Sequence, residues 1–388
     1  MTRRLISTLM LITLIAAFFV KPVAAQSTSV QESIQSDLAL CVPGVSEFES
    51  LSCLNAGPAQ RLGDWEKLGL TFPEEAISLK NPPYDLFYVP FSYARVSDEA
   101  VLLYASIDDA QNNVPVRTLA AGAIKYISYS QRVDTVQGTF YQIATGEWIN
   151  GSVITKVSVP YYQGYLINDF PYVPFGWVLS NEAASYTAPG YASPRTTKTH
   201  YRFELIHFYD SETVDGTEWV MIGPNEWMEH RFLGIVFNNP TPPEGVTNNR
   251  WIEVNLYEQV LTVYDQGKMV FATLISSGVD PFFTRPGVFQ IYEKFEHGKM
   301  SGAFEADRSD YYYLEEVPYI LYYDEARALH GAYWNTLYGY QRSHGCVNLS
   351  VGDAHWLYDW AVEGDYVYVW DPSGETPTDP TFYGAGGF

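Results

Sequence analysis

One short run of the chain places a cysteine between residues that can activate it. Ser343-His344-Gly345-Cys346-Val347-Asn348 sets an imidazole two positions before a thiol, and His330-Gly331 supplies another imidazole sixteen residues before that thiol. A thiol with a pKa of about 8.5 is mostly protonated at neutral pH, and a neighbouring imidazole can deprotonate it and pair with the thiolate. The run therefore predicts a cysteine nucleophile with two candidate bases, and its chemistry would be acyl transfer through a thioester.

The residues beside the cysteine fit the same chemistry. Gly345 permits close backbone approach and unusual dihedral angles, so that amide N–H groups of the turn can face a developing oxyanion. Asn348 can donate a further hydrogen bond to a substrate or lock the turn. Spacing alone does not decide whether His330 or His344 is the base.

Two other interpretations of these residues are weaker. A lone cysteine is commonly an inert core residue, and one Cys with two His can bind zinc. Zinc is disfavoured because no further Cys and no clear acidic ligand lies near Cys346. Glycine-rich phosphate loops and the motifs His-Glu-x-x-His and Cys-x-x-Cys do not occur in the sequence. We therefore predict neither a metal nor a cofactor.

The pattern from His330 to Asn348 resembles the signature of the L,D-transpeptidase catalytic domain (YkuD type). The resemblance extends over roughly residues 250–371 and includes an opening hairpin of the form Ile-x-Val-x-Leu…Leu-x-Val-Tyr. It also includes the turn Thr284-Arg285-Pro286-Gly287-Val288-Phe289, where the family usually shows Thr-Pro-x-Gly-x-Phe. This departure lies in a loop and leaves the nucleophile motif intact.

The resemblance implies a β-sandwich with a short helix and assigns the site residues. Cys346 would be the nucleophile, His330 the general base and later the acid, and His344 would shape the site or assist the oxyanion. Supporting candidates for the oxyanion site and for substrate binding are Ser343, Gly345, Asn348, Gly331 and Arg342. The run Tyr311-Tyr312-Tyr313 would form a lid or pack as ordinary aromatics.

The family's substrate class is the peptidoglycan stem peptide. The resemblance implies attack on a tetrapeptide stem with loss of its terminal D-Ala, and then a 3→3 cross-link to an amine of a neighbouring stem. The acceptor could also be water, a free D-amino acid or a protein lysine. Two other functions stay open, namely an L,D-carboxypeptidase and a non-catalytic wall-binding protein.

An internal repeat precedes this region and predicts two small β modules. Tyr88-Val89-Pro90-Phe91 recurs as Tyr172-Val173-Pro174-Phe175, and the block Gly138–Ile149 is echoed by Gly216–Met228. We place the modules at about 85–160 and 170–236. Their aromatic endings resemble bacterial SH3-like barrels that accompany cell-wall enzymes.

The rest of the chain divides by composition. Two arginines, the apolar run Leu5–Val20 and a small-residue site before Gln26 predict a signal peptide over 1–25. Segment 26–84 holds Cys41 and Cys53, a plausible disulfide in an exported protein. A Pro-rich linker over 238–249 leads to a catalytic domain over 250–371, and 372–388 would be a flexible tail.

Composition limits the partners. Aromatic residues make up 16% of the 388 residues, which favours a mostly β fold. The formal net charge is −22, so polyphosphate would be repelled and nucleic acid is excluded as a partner. Membrane contact would come only through the signal segment if it is uncleaved. We expect an exported protein of the cell envelope.

Overall fold

The computed structural model describes residues 79–169, 173–305 and 307–383, and the backbone of 39–40 and 53–54. Two predictions, the signal peptide over 1–25 and the Cys41–Cys53 disulfide, lie outside the described residues. Strands predominate among the described residues and helices there are few, which confirms the mostly β fold class. Within the described residues, no helix is both long and apolar enough to cross a membrane.

The first region contains ten short strands. These are β1 (Ala39–Leu40), β2 (Cys53–Leu54), β3 (Ser92–Val96), β4 (Val101–Tyr104), β5 (Arg117–Leu119), β6 (Ile124–Thr135), β7 (Gly138–Ile143), β8 (Trp148–Asn150), β9 (Ile154–Val157) and β10 (Tyr165–Leu166). Helix α1 (Ile107–Gln111) and two 3₁₀ turns, Tyr84–Phe87 and Gly151–Val153, lie between them.

The second region adds eight strands. These are β11 (Phe175–Val178), β12 (Glu182–Tyr186), β13 (Arg195–Tyr201), β14 (Leu205–His207), β15 (Asp210–Val214), β16 (Thr217–Gly223), β17 (Glu226–Glu229) and β18 (Leu233–Val236). A 3₁₀ turn, His230–Phe232, joins β17 to β18. The order of hairpin, 3₁₀ turn and strand is the same in β7–β9 and in β16–β18, the two blocks in which the sequence repeats. The SH3-like assignment stays a prediction.

The third region contains the predicted nucleophile. Its strands are β19 (Arg250–Asn255), β20 (Val260–Asp265), β21 (Lys268–Leu274), β22 (Gly287–Gln290), β23 (Glu293–Gly302), β24 (Tyr312–Asp324), β25 (Arg327–Gly331), β26 (Val347–Leu349) and β27 (Tyr366–Trp370). Helix α2 (Val351–Trp360) follows β26, and a 3₁₀ turn, Pro380–Phe382, lies in the C-terminal segment. Ser350 begins α2 by accepting the amide N–H of Asp353, as helix-capping serines do.

Two sheets pack face to face in the third region. One has the order β10-β21-β20-β19-β27-β22, and the other runs β26-β25-β24-β6-β7-β8-β4-β5, with β23 on β24 and β3 between β6 and β9. The core between them includes fully buried aliphatic side chains from both sheets, among them Ile252, Val263, Leu321, Leu329 and Val347. This arrangement is the β-sandwich that the resemblance implies.

The first β region is continuous with the sheet that carries the nucleophile. Strand β6 pairs in parallel with β24, with Ile124 opposite Tyr312 and Tyr126 opposite Leu314. The backbone hydrogen bonds of this ladder fix the first region against the third. Residues that lie nearly two hundred positions apart in sequence therefore share one sheet.

A buried histidine joins the second region to the third. His230 Nδ1 lies 2.7 Å from Glu218 Oε2, and its Nε2 lies 3.0 Å from Glu258 Oε1 in the turn between β19 and β20. Glu258 also accepts the amide N–H of Ile235 at 2.9 Å. Burial alone would lower the pKa of His230, but the charges of Glu258 and Glu218 outweigh burial and raise this pKa to about 10.

We expect His230→Gln to lower the free energy of unfolding by about 3 kcal/mol at neutral pH, because it leaves the buried carboxylate of Glu258 and the half-buried carboxylate of Glu218 without their cation. The pKa of His230 in the folded state lies above its value of about 6.5 in the unfolded state. The stabilisation by His230 is therefore complete below about pH 6.5. It is then lost as the pH rises toward about 10. Urea unfolding at several pH values measures both effects.

His297→Gln is the matched control. His297 is half-exposed beside Glu316, where an ion pair contributes about 0–1 kcal/mol. A stability gap between the native chain and His230→Gln that stays constant from pH 6.5 to 10 would contradict the assignment.

Candidate active site

The pairing of β25 with β26 brings the predicted nucleophile and base together. The two strands are parallel, with Leu329 opposite Val347 and His330 opposite Asn348. Cys346 directly precedes β26, and because side chains alternate along a strand it shares a face with Asn348 and therefore with His330. Both Cys346 and His330 line one cavity of about 190 Å³.

His330 is held as a neutral imidazole. It is buried, and its Nδ1 lies 3.1 Å from the carbonyl oxygen of Gly331. An Nδ1–H that donates to this carbonyl leaves Nε2 unprotonated and able to accept a proton. Burial lowers the pKa of His330 to about 4, although the Gly331 carbonyl opposes that effect. Gly331, a predicted site residue, thus orients the ring through its backbone.

Cys346 is half-buried at the wall of the cavity. Its Sγ lies 3.8 Å from the carbonyl oxygen of Ala326. Burial raises the pKa of the Cys346 thiol, whereas a hydrogen bond from the backbone of Ala328 and the charge of Arg327 lower it. At rest the site therefore contains a thiol and a neutral imidazole.

Ser343 and Thr284 hold the turn before Cys346. The Ser343 hydroxyl donates to the Cys346 carbonyl and accepts the Gly345 amide N–H at 3.1 Å. The Thr284 hydroxyl donates to the Gly345 carbonyl at 2.9 Å and accepts the amide N–H of Gly278 at 2.8 Å. Gly345 has a φ of +114°, which favours glycine. The hydroxyls of Ser343 and Thr284 therefore fix the backbone of the turn that leads through Cys346 into β26.

The turn is also anchored by backbone. Ser276 and Asn348 exchange hydrogen bonds of 3.0 and 2.9 Å, and the amides of Arg342 and Ser343 both donate to the Ser277 carbonyl. Asn348 is buried and lines the cavity. These bonds tie the segment that follows β21 to both sides of the nucleophile turn.

His344 lies among aromatic rings. Its ring centroid is 4.7 Å from that of Phe282, 5.6 Å from that of Tyr312 and 5.9 Å from that of Phe304. Burial lowers the pKa of His344, and the charge of Asp310 opposes this effect. The structure therefore places His344 in the cavity wall beside the thiol, as a neutral ring packed on aromatics.

Of the remaining predicted residues, Arg342 and Tyr312 line the cavity, and Tyr311 and Tyr313 do not. Arg342 is exposed and lines the opening. Tyr312 lines the cavity, whereas the buried Tyr313 donates its hydroxyl to Glu315 at 2.8 Å and Tyr311 packs over Gly122 of the first β region. This run therefore begins β24 at its junction with β6.

Sequence reasoning missed several residues of the cavity. The structure adds Ile124 from the first β region, Lys299 from β23, Trp334 and Arg327. The pairing of β24 with β25 shifts register between Tyr322 and Asp324, and such irregularities redirect side chains. Strict alternation of side chains along β25 would have put Arg327 and His330 on opposite faces of the sheet. The sequence alone therefore could not place Arg327 in the cavity, because this requires the register of β25 against β24.

The charge of the cavity differs from that of the chain. Its described lining includes three cations, Lys299, Arg327 and Arg342, and contains no Asp or Glu. The whole chain carries a formal net charge of −22. The arrangement therefore combines a thiol, a neutral base and a locally positive surface, which suits acyl transfer from a substrate that carries carboxylates.

Comparison with protein families matches residues 249–369 to the L,D-transpeptidase catalytic domain, YkuD. The match covers less than a third of the chain and includes every predicted catalytic residue. No curated protein matches the chain.

Solved structures of L,D-transpeptidases are among its neighbours. A mutant of the Enterococcus faecium enzyme is 28% identical, with 31% of this chain and 49% of that one covered and a TM-score of 0.29. This chain thus spans about half the length of that enzyme. The E. faecium catalytic domain acylated by ertapenem is 28% identical over 32% of this chain and 100% of that one, with a TM-score of 0.29. A Mycobacterium smegmatis L,D-transpeptidase is 17% identical over 63% and 99%, with a TM-score of 0.30.

We expect Thr284→Val to lower the free energy of unfolding by about 1–3 kcal/mol. The change leaves the Gly278 N–H and the Gly345 carbonyl without their shared partner, and unmet buried polar groups cost about this much. Urea denaturation measures it. Thr155→Val on the exposed face of β9 should stay within about 0.5 kcal/mol of the native chain. Equal effects of the two substitutions would show that Thr284 does not hold the turn.

Proposed function

Because residues 249–369 are an L,D-transpeptidase catalytic domain of the YkuD family, we propose that this chain is an exported enzyme that cuts and rejoins peptidoglycan stem peptides. The observation that carries the proposal is the shared face of Cys346 and His330 in one cavity. The neutral imidazole with its free Nε2 supports a role as proton acceptor for the thiol.

In the first half-reaction, Cys346 Sγ attacks the carbonyl carbon of the third residue of a tetrapeptide stem. The S–C bond forms as the thiol proton passes to His330 Nε2. The tetrahedral adduct then collapses, the C–N bond to the terminal D-Ala breaks, and the leaving amine takes the proton back from His330. The products are a thioester on Cys346 and free D-Ala.

In the second half-reaction, an amine of a neighbouring stem attacks the thioester carbonyl and gives its proton to His330. The C–S bond breaks, the proton returns to sulfur, and a 3→3 cross-link is released. The N–H groups of Arg342, Ser343 and Gly345 already donate within the turn, so other backbone N–H groups beside Cys346 would have to stabilise both oxyanions. Asn348 and Ser343 support that turn.

The positive lining of the cavity supports an anionic stem peptide as substrate. A donor stem ends in the D-Ala carboxylate, one residue beyond the attacked carbonyl. Arg342 and Lys299 stand at the exposed edge, where they can attract this carboxylate despite the overall negative charge of the chain. Export rests on the run Leu5–Val20 and remains part of the proposal.

An L,D-carboxypeptidase would use the same thioester and resolve it with water. Incubation of tetrapeptide stems at rising stem concentration separates the two activities, because a transpeptidase forms cross-linked dimers while a hydrolase forms only the shortened stem. A non-catalytic wall-binding protein would form neither product.

We expect incubation with a carbapenem to add one intact carbapenem mass to the native protein and none to Cys346→Ala. The nucleophile opens the β-lactam amide, so the whole inhibitor stays bound as an acyl-enzyme. Intact mass spectrometry measures the adduct, and peptide mapping separates Cys346 from Cys41 and Cys53. An adduct on Cys346→Ala, or none on the native protein with an accessible thiol, would overturn the proposal.

The pH profile of carbapenem acylation gives a second test. The reactive state holds a thiol and a neutral imidazole, so the rate should fall on the acid side only as the pH approaches about 4, where His330 becomes protonated. His330→Gln should lower the rate by about 10²–10⁴-fold at neutral pH. An acid limb centred near 6.5, the ordinary value for histidine, would contradict the lowered pKa of His330, whereas an unchanged rate in folded His330→Gln would show that His330 is not the base.

A further inference from the structure

A buried cluster of three charged residues lies beside the nucleophile and is used by none of the steps above. Arg327 Nη1 donates to Asp324 Oδ2 at 3.1 Å, and Arg285 Nη1 donates to Asp324 Oδ1 at 3.1 Å. Asp324 and Arg327 are buried, and Arg285 is half-buried. Two guanidinium groups thus share one carboxylate.

Aromatic rings hold both guanidinium groups in place. The Arg327 guanidinium lies 5.3 Å from the ring centroid of Tyr383, in the C-terminal segment, and that of Arg285 lies 5.4 Å from the ring centroid of Phe289. Stacking of this kind orients arginine without neutralising it.

The cluster lies beside the turn that carries the nucleophile. Arg327 lines the same cavity as Cys346, and its Nε lies 3.5 Å from the point that a Cβ on Gly345 would occupy. Gly345 is the residue before Cys346, and Ala326, the residue before Arg327, places its carbonyl 3.8 Å from Sγ. The guanidinium therefore lies against the backbone that carries the thiol.

We propose that Arg285, Asp324 and Arg327 form a positioning cluster that holds the positive charge of Arg327 where it stabilises the thiolate of Cys346. The proposal rests on the proposed function only in taking Cys346 as the nucleophile. Arg285 neutralises much of the Asp324 charge, so that Asp324 can fix Arg327 without cancelling its field at the sulfur. The Thr284-Arg285-Pro286-Gly287 departure from the family motif thereby acquires a role.

Other groups near the thiol do not supply this charge. His330 and His344 are neutral because burial lowers their pKa values. Burial raises the pKa values of the β24 tyrosines near Cys346, so they are neutral too: Tyr312, Tyr322 and Tyr323. Lys299 and Arg342 are exposed, and solvent and salt screen exposed charges. Arg327 is the buried cation among the described residues of the cavity lining.

The test is the pH dependence of iodoacetamide alkylation at Cys346, followed by peptide mapping on the full chain. Alkylation reports the thiolate of the resting protein and needs neither donor nor acceptor stems. A failure of this proposal is therefore distinct from a failure of transpeptidation. The variants are Arg327→Gln, Arg327→Lys, Arg285→Gln and Asp324→Asn, with Arg132→Gln as the control. Arg132 pairs with Asp134 at an exposed hairpin, about 26 Å along β6 from Ile124.

We expect Arg327→Gln to shift the thiol titration upward by about one pH unit. Alkylation at neutral pH then slows about threefold, because a tenfold loss of thiolate is partly offset by the greater nucleophilicity of a more basic sulfur. Arg327→Lys restores most of the loss, and Arg285→Gln gives a smaller upward shift. Asp324→Asn shifts the titration downward and speeds alkylation, and Arg132→Gln leaves it unchanged.

The opposite signs for Arg327 and Asp324 distinguish an electrostatic role from a loss of folding, which would move all variants in one direction. Thermal unfolding of each variant shows whether it folds. An unchanged titration in folded Arg327→Gln, or an upward shift in folded Asp324→Asn, would overturn the proposal.

Discussion

The candidate site depends on one backbone constraint, the parallel register of β25 on β26. That register sets His330 opposite Asn348 and so places the imidazole and the thiol on one face of the sheet. The bonds between Ser276 and Asn348, and the two hydroxyls that hold Gly345, fix the other side of the turn. A shift of the β25–β26 register by one residue would place Cys346 on the opposite face of the sheet. The proposed chemistry therefore depends on this strand pairing.

Burial sets the resting protonation states of Cys346 and His330, and it also disfavours the thiolate form of Cys346. Desolvation keeps His330 neutral with a free Nε2, which suits a base, but it also disfavours the charged form of the thiol. The charge of Arg327 in the cavity lining opposes that second effect. In the proposed function, the cations of this lining would also favour substrates that carry carboxylates.

The first β region takes part in the site through the ladder between β6 and β24. Ile124 lines the cavity. The ring centroid of Tyr126 lies 6.1 Å from that of Trp334, and the Trp334 centroid lies 5.7 Å from that of His330. These contacts make the region a wall of the cavity and a support for the base. Deleting it would remove both, so the catalytic domain is not expected to keep the same cavity when expressed alone.

The sequence by itself determined the local elements and the nucleophile motif. The opening hairpin motif corresponds to β19 and β20, and the run at 343–348, together with His330, identified the thiol and its two histidines. The tertiary structure alone decided that β6 joins the sheet of β24 to β26, that His344 packs among aromatic rings, and that Arg327 lines the same cavity as the thiol. The physical reason is that periodicity records which face of a strand is buried, whereas strand partners, register shifts and neighbouring charges are set by contacts between distant segments.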